Sequence, residues 1–123
     1  MNNIVAPALG IPSGITYDSG REAVLDAFKS SFMTPAIDKV EYILQNTELK
    51  VTIYNGNLDA VSNTPGQLEW VDKLQWSGET EFKERPRETL VVNRIVEGYF
   101  RNTSRLGFYW INAAGQSAPL DNP

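Results

Sequence analysis

Val51-Thr-Ile-Tyr-Asn-Gly-Asn-Leu-Asp59, followed by Thr64-Pro-Gly-Gln67, decides the fold. Val51 to Tyr54 has the β-branched and aromatic composition of a buried strand. Asn55-Gly56-Asn57 then supplies turn residues, and Asp59 stands just past the strand's carboxyl end. In an open α/β sheet that edge is where ligands bind and chemistry is assembled. Thr64 and Gln67 have capping-box spacing, and Pro65 falls at the first helical position, where its missing N–H costs nothing. A helix is therefore predicted over about 65–75. Strand, acidic turn and helix in that order point to an α/β protein.

Upstream, residues 1–18 carry Pro7, Gly10, Pro12 and Gly14 and are expected to form an irregular arm. Val24, Leu25, Phe28 and Phe32 recur at helical spacing, which predicts a helix from about Ser19 to Phe32. Thr34-Pro35 has the pattern of a cap and first turn, with Ile37, Val40, Ile43 and Leu44 on one face of a second helix ending at Asn46-Thr47. Downstream, Trp76-Ser77-Gly78 reads as a turn and the charged stretch to Thr89, with Pro86 inside it, as a solvated loop. Residues 90–100 and 106–111 read as two strands of a hairpin joined through Arg101-Asn102-Thr103-Ser104-Arg105. That connection holds the only glycosylation sequon, which makes Asn102 a possible glycan site and a weak pointer to a secretory route. Residues 113–123 form a second loop at a strand end. The expected architecture is α/β with about three strands flanked by helices, in one partial domain over 1–123. The 49–54 strand is apolar or β-branched at nearly every position, and three helices could not cover both its faces. The chain is thus expected to belong to a larger fold or to associate with something.

The chain has 123 residues, a net charge of −4, no Cys and no His. An acidic chain without a basic run is a poor nucleic-acid binder. No apolar run reaches the ~18 residues of a membrane span. Met1-Asn2-Asn3-Ile4 lacks the basic and apolar regions of a signal peptide, so any export signal is expected outside this chain. Without Cys there is no thiolate nucleophile. Without His the commonest general base and the commonest metal ligand are both missing, so no metal or cofactor is implied.

Tyr54-Asn-Gly-Asn-Leu-Asp59, Thr64-Pro-Gly-Gln67, Trp70, Leu74 and Trp76-Ser-Gly78 together resemble the serine carboxypeptidase family of the α/β-hydrolase fold. So do Phe32-Met-Thr-Pro35, Gly98-Tyr99, Phe108, Ala114-Gly115 and Asp121-Asn-Pro123. The resemblance covers nearly all of this chain but only the last quarter to third of a family member, and is strongest to the animal retinoid-inducible or vitellogenic type. It implies a peptidase acting at peptide C-termini through a Ser–Asp–His triad in that chain order. Asp59 matches the triad Asp, which orients the imidazole and stabilises its cation. The His is expected directly after Ala114-Gly115, where Gln116 stands; Ser117 and Ala118 also depart from the family pattern. The nucleophile elbow would lie upstream, and Gly10-Ile-Pro-Ser-Gly14 resembles it only superficially. The family carries a further helix after Asp-Asn-Pro, so an end at Pro123 is expected of a truncated relative. Secreted or lysosomal location is implied by the same resemblance.

A glutamine amide has no protonation equilibrium near neutrality and cannot relay the serine proton. Asp59 is then either a triad remnant or a residue that holds the turn by bonding nearby backbone N–H groups. Gln116 is either a substituted catalytic position or a ligand contact in its own right. Trp70, Trp76, Phe108, Tyr109 and Trp110 read as core and sheet-face aromatics, and Glu69, Asp72, Glu79 and Glu81 as a charged surface rather than an acid/base pair. Two function classes fit. The chain is a non-catalytic unit, a degenerate or truncated relative with a binding or structural role that is expected to self-associate, or it is the small subunit of a two-chain molecule that gives Asp59 to a site on a large chain of the same fold.

Overall fold

The computed structural model describes all 123 residues. They fall into two compact units, Met1–Pro35 and Ala36–Pro123, where the sequence suggested one partial domain. In the first unit, α1 (Val5–Ala8) is a helical turn inside the expected irregular arm, and α2 spans Glu22–Phe28. The side-chain amide of Asn2 pairs with the backbone of Tyr17, accepting from its N–H at 2.6 Å and donating to its carbonyl at 3.1 Å. α2 stops short of Phe32, and in the turn that follows it the Phe28 carbonyl is shared by the N–H groups of Ser31 and Phe32 and the Ser31 hydroxyl. Such hydroxyl back-bonding competes with helix propagation. Neither helix buries a side chain.

The second unit is a mixed α/β layer pair. Its elements are α3 (Ile37–Asn46), β1 (Val51–Gly56), α4 (Thr64–Val71), α5 (Glu79–Glu84), β2 (Glu88–Val92), β3 (Ile95–Asn102), β4 (Leu106–Ile111) and α6 (Ala118–Asp121). The sheet has four strands in the order β1-β4-β3-β2. β1 and β4 are parallel, while β3 runs antiparallel to both β4 and β2. The additional strand comes from residues 90–100, which break at Asn93-Arg94; both residues adopt positive φ, 50° and 68°. Two consecutive left-handed residues make the tight turn whose twist matches a hairpin.

Alternation along β4 sends Leu106, Phe108 and Trp110 to one face, where they pack with Leu44, Val71, Leu74 and Phe82. Phe108 and Trp110 meet edge to face with centroids 4.6 Å apart, and Trp70 and Trp76 pack against this core. These aromatics are core residues. The opposite face is open: Thr52 and Tyr54 of β1 are exposed, and Phe100 stacks on Tyr109 at 5.7 Å. The two-sided cover expected for the first strand is therefore one-sided in this chain.

Residues 79–84, expected as loop, are helical. Phe82 is the reason, 1% exposed in the core, and Glu79–Lys83 (2.6 Å) and Glu81–Arg85 (3.1 Å) pair along the exposed side. Glu69 likewise pairs with Lys73 at 2.7 Å, and Asp72 with Arg101 at 3.2 Å. The Lys73 ammonium, by hydrogen bond and charge, holds the Glu69 carboxyl below the usual range. All four carboxylates considered as acid/base groups thus have their own cation.

Two cap assignments shift. Asn63, not Thr64, caps α4, its side chain accepting from the Gly66 N–H at 2.9 Å. Gln67 does not reach back to the cap; its carbonyl accepts from the Trp70 indole at 2.8 Å. The first residue of α3 follows Ala36, with no side-chain cap from Thr34. At its far end, Arg105 closes α3. Its guanidinium donates to the carbonyls of Leu44 (3.2 Å), Ile43 (3.4 Å), Leu49 (3.2 Å) and Thr47. A charged donor on the last carbonyls also suits the helix dipole. Arg105→Met is expected to cost about 2 kcal/mol, a fall of roughly 10 °C in Tm. Thermal melting followed by circular dichroism checks this; an unchanged Tm would deny the clamp any role.

Candidate functional site: the paired loops after β1 and β4

β1 and β4 are parallel neighbours, so their carboxyl ends lie side by side with Gly56 opposite Ile111. Each ends in a loop, and backbone hydrogen bonds join the two. Asn57 N–H donates to the Ile111 carbonyl at 2.8 Å and Leu58 N–H to that of Ala114 at 2.9 Å. The Asn57 amide donates to the Asn112 side-chain oxygen at 2.8 Å. Gly56 is required where the strands diverge. A Cβ there would collide with the carbonyl oxygens of Ala114 and Gly115.

Asp59 lies in the first of these loops and is 8% exposed. Its Oδ1 accepts from the N–H groups of Val61 (2.8 Å) and Ser62 (2.9 Å). This is the local turn-bonding anticipated for an Asp, and it leaves Oδ2 without a donor from the chain. Behind the loop, a buried network fixes both its stems. The Asn55 amide donates to the Thr64 hydroxyl (3.0 Å) and the Gly56 carbonyl (3.1 Å), and the Thr64 hydroxyl also donates to that carbonyl (3.2 Å). Thr64 therefore ties α4 to the end of β1.

Gln116 is exposed on the second loop, two residues after Ala114. Ala113 takes a positive φ of 54°, and the Gly115 N–H donates to Asp121 Oδ2 at 2.8 Å. The Asn122 amide reaches Glu97 Oε2 (2.9 Å) and the Asn112 carbonyl (3.0 Å). Glu97 sits at the irregularity between β2 and β3, where pairing slips from Gly98 to Val96, and its carbonyl accepts from the Asn112 N–H at 2.8 Å. The loop is thus framed from three sides. Sequence reasoning named Asn57 and Asn122 only as motif residues and did not single out Glu97 or Asn112; the Asn57–Asn112 and Asn122–Glu97 pairs span 55 and 25 residues, and no local spacing signals them.

The structure brings the loops of Asp59 and Gln116 together and leaves Asn102 apart from them, paired with Gly107 at the other end of β4. Asn102 ends β3 half-buried, its Oδ1 enclosed without a hydrogen-bond partner. It lies over Gly107, where a Cβ would come within 2.9 Å of it. Ser13 lies in a turn of the first unit, after α1 and without a strand before it. No three Asp or Glu side chains converge as metal ligands do. A shallow apolar groove of about 330 Å³ runs along the open face between Tyr54, Ile111, Ala118 and Pro119. No helix is long and apolar enough to cross a membrane.

Chemically, the paired loops offer a carboxylate with one free oxygen and an amide. An amide can donate and accept hydrogen bonds but cannot carry a proton between two reacting groups.

Comparison with known proteins gives this arrangement a lineage. Over all of this chain, the sequence is 38% identical to serine carboxypeptidase-like 51 of Arabidopsis thaliana, covering 27% of that protein. It is 32% identical to the retinoid-inducible serine carboxypeptidase of Rattus norvegicus over 90% of this chain and 25% of that one. The chain therefore spans about a quarter of the length of the curated relatives it matches. The crystal structure of the prohormone-processing carboxypeptidase Kex1 from Saccharomyces cerevisiae superposes with a TM-score of 0.61 at 22% identity, over 72% of this chain and 20% of that one. That likeness gives the fold, part of an α/β hydrolase. The family description "Serine carboxypeptidase" matches residues 1–123. From its first residue to its last, this chain belongs to the serine carboxypeptidase family.

Proposed function

We propose that this chain is a non-catalytic serine-carboxypeptidase-like unit with a binding or structural role. One observation carries the reading: the loop beside Asp59 presents Gln116 in a chain with no His at all. In this reading Asp59 is the triad Asp and Gln116 replaces the base. Loss of a triad base costs several powers of ten in rate, and the chain has no nucleophile elbow to act with. The purified chain should not release C-terminal residues from blocked peptides above the buffer rate. Turnover that is abolished by a serine-directed phosphonylating reagent would overturn the reading.

A second reading makes the chain the small subunit of a two-chain molecule, contributing Asp59 to a composite site. It is favoured by the open edge of β1, the uncovered face around Tyr54 and the donor-free Oδ2 of Asp59. Co-purification with a tightly held chain of the same fold bearing a Gly-x-Ser-x-Gly elbow distinguishes the two. In such a complex Gln116→His is expected not to restore strong activity, because Ser117 and Ala118 also depart from the family pattern. Robust peptide hydrolysis from that one change would show the remaining site to be intact. Secretion or lysosomal delivery, with glycosylation at Asn102 before the strand closes over Gly107, belongs to either reading.

A further inference from the structure

β2 is the sheet edge farthest from β1, and no other element of the second unit pairs with its outer side. Its hairpin with β3 exposes Val91 (55%), Val92 (47%), Ile95 (59%) and Val96 (45%). Natural sheets guard such edges with Pro or Lys; Glu88-Thr-Leu-Val-Val92 has neither. The charges that flank it are of opposite sign, Glu88 at the start and Arg94 in the turn, and neither forms an ion pair within the chain.

We propose that β2 pairs antiparallel with β2 of a second copy about a two-fold axis at Val91. Three features of the hairpin support that register. In a two-residue hairpin the flanking pair, here Val92–Ile95, exchanges ladder bonds, which turns the N–H and C=O of Val91 toward the open edge. Centring the axis on Val91 then opposes Leu90 to the partner copy's Val92, joining apolar to apolar. The same register runs Glu88 alongside the turn that carries the other copy's Arg94, twice by symmetry, and such isologous self-complementarity is what a closed dimer requires. A shift of one residue moves Glu88 away from the turn and loses the charge match. The continuous sheet would have eight strands, with both β1 edges left outermost.

The test uses the full chain. Sedimentation should show a concentration-dependent monomer–dimer equilibrium. Glu88→Arg and Arg94→Glu should each weaken it by about tenfold, since two pairs turn from attraction to repulsion. The double reversal should restore it. Because the chain has no Cys, Val91→Cys provides an independent readout. A hydrogen-bonded pair has Cα atoms about 5.5 Å apart, within the disulfide range of roughly 4.4–6.8 Å. Val91→Cys should therefore cross-link on oxidation. Val96→Cys, one strand further in, should not. A monomer at all concentrations would overturn the proposal. So would a dimer in which the double reversal fails to restore association, or in which Val91→Cys stays reduced while retaining the native Tm.

Discussion

Phe82→Ala is expected to cost about 4 kcal/mol, lowering Tm by roughly 20 °C. Phe82 is 1% exposed and shares the core with Leu44, Val71, Leu74 and Phe108. Its removal would leave a cavity bounded by sheet and helices, with Arg101 above it; the guanidinium lies 5.4 Å from the ring centroid. Domains of this size are stable by only about 5–15 kcal/mol, so this is a large share of the whole. If residues 79–84 were a solvated loop, the same substitution would be within about 0.5 kcal/mol of neutral. Urea denaturation of the variant separates the two outcomes. A midpoint unchanged from the parent chain would remove α5 from the fold.

Gly56→Ala carries the next largest effect, about 3 kcal/mol or roughly 15 °C in Tm. The added methyl meets the carbonyls of Ala114 and Gly115, which are backbone and cannot rotate away. Relief requires the two loops to separate, breaking the Leu58–Ala114 and Asn57–Ile111 hydrogen bonds. The loss should therefore be local as well as global. Amide exchange at Leu58 and Asn57 should accelerate more than at Val51 or Leu106. A uniform acceleration would mean that the clash is absorbed elsewhere.

How much of this was legible in the chain depends on whether each cue was local. β1, its turn and α4 were readable because strand composition, turn residues and Pro65 agree at every level. Even there the cap moved by one residue, since Asn63 and Thr64 are both good caps and only the Thr64 hydroxyl finds a buried partner in Asn55. α5 was hidden because Glu-Thr-Glu-Phe-Lys-Glu has a single apolar residue; its helicity rests on burial of Phe82 and on paired charges four apart. The split of residues 90–100 was hidden because Asn93-Arg94 lacks the glycine that usually marks such a turn. Asp59 and Gln116 were singled out through their flanking motifs. The asparagine frame around them was not, because Asn57 and Asn112 meet from distant parts of the chain.

The account rests on the Asp59 turn and the Gln116 loop being neighbours, held by hydrogen bonds between the ends of two parallel strands. The through-hydrogen-bond scalar coupling between the Leu58 amide nitrogen and the Ala114 carbonyl carbon reads that contact directly. It should be detectable in the isotope-labelled chain, with a slowly exchanging Leu58 amide. An absent coupling, together with a Leu58 amide that exchanges as fast as an unstructured peptide, would contradict the account.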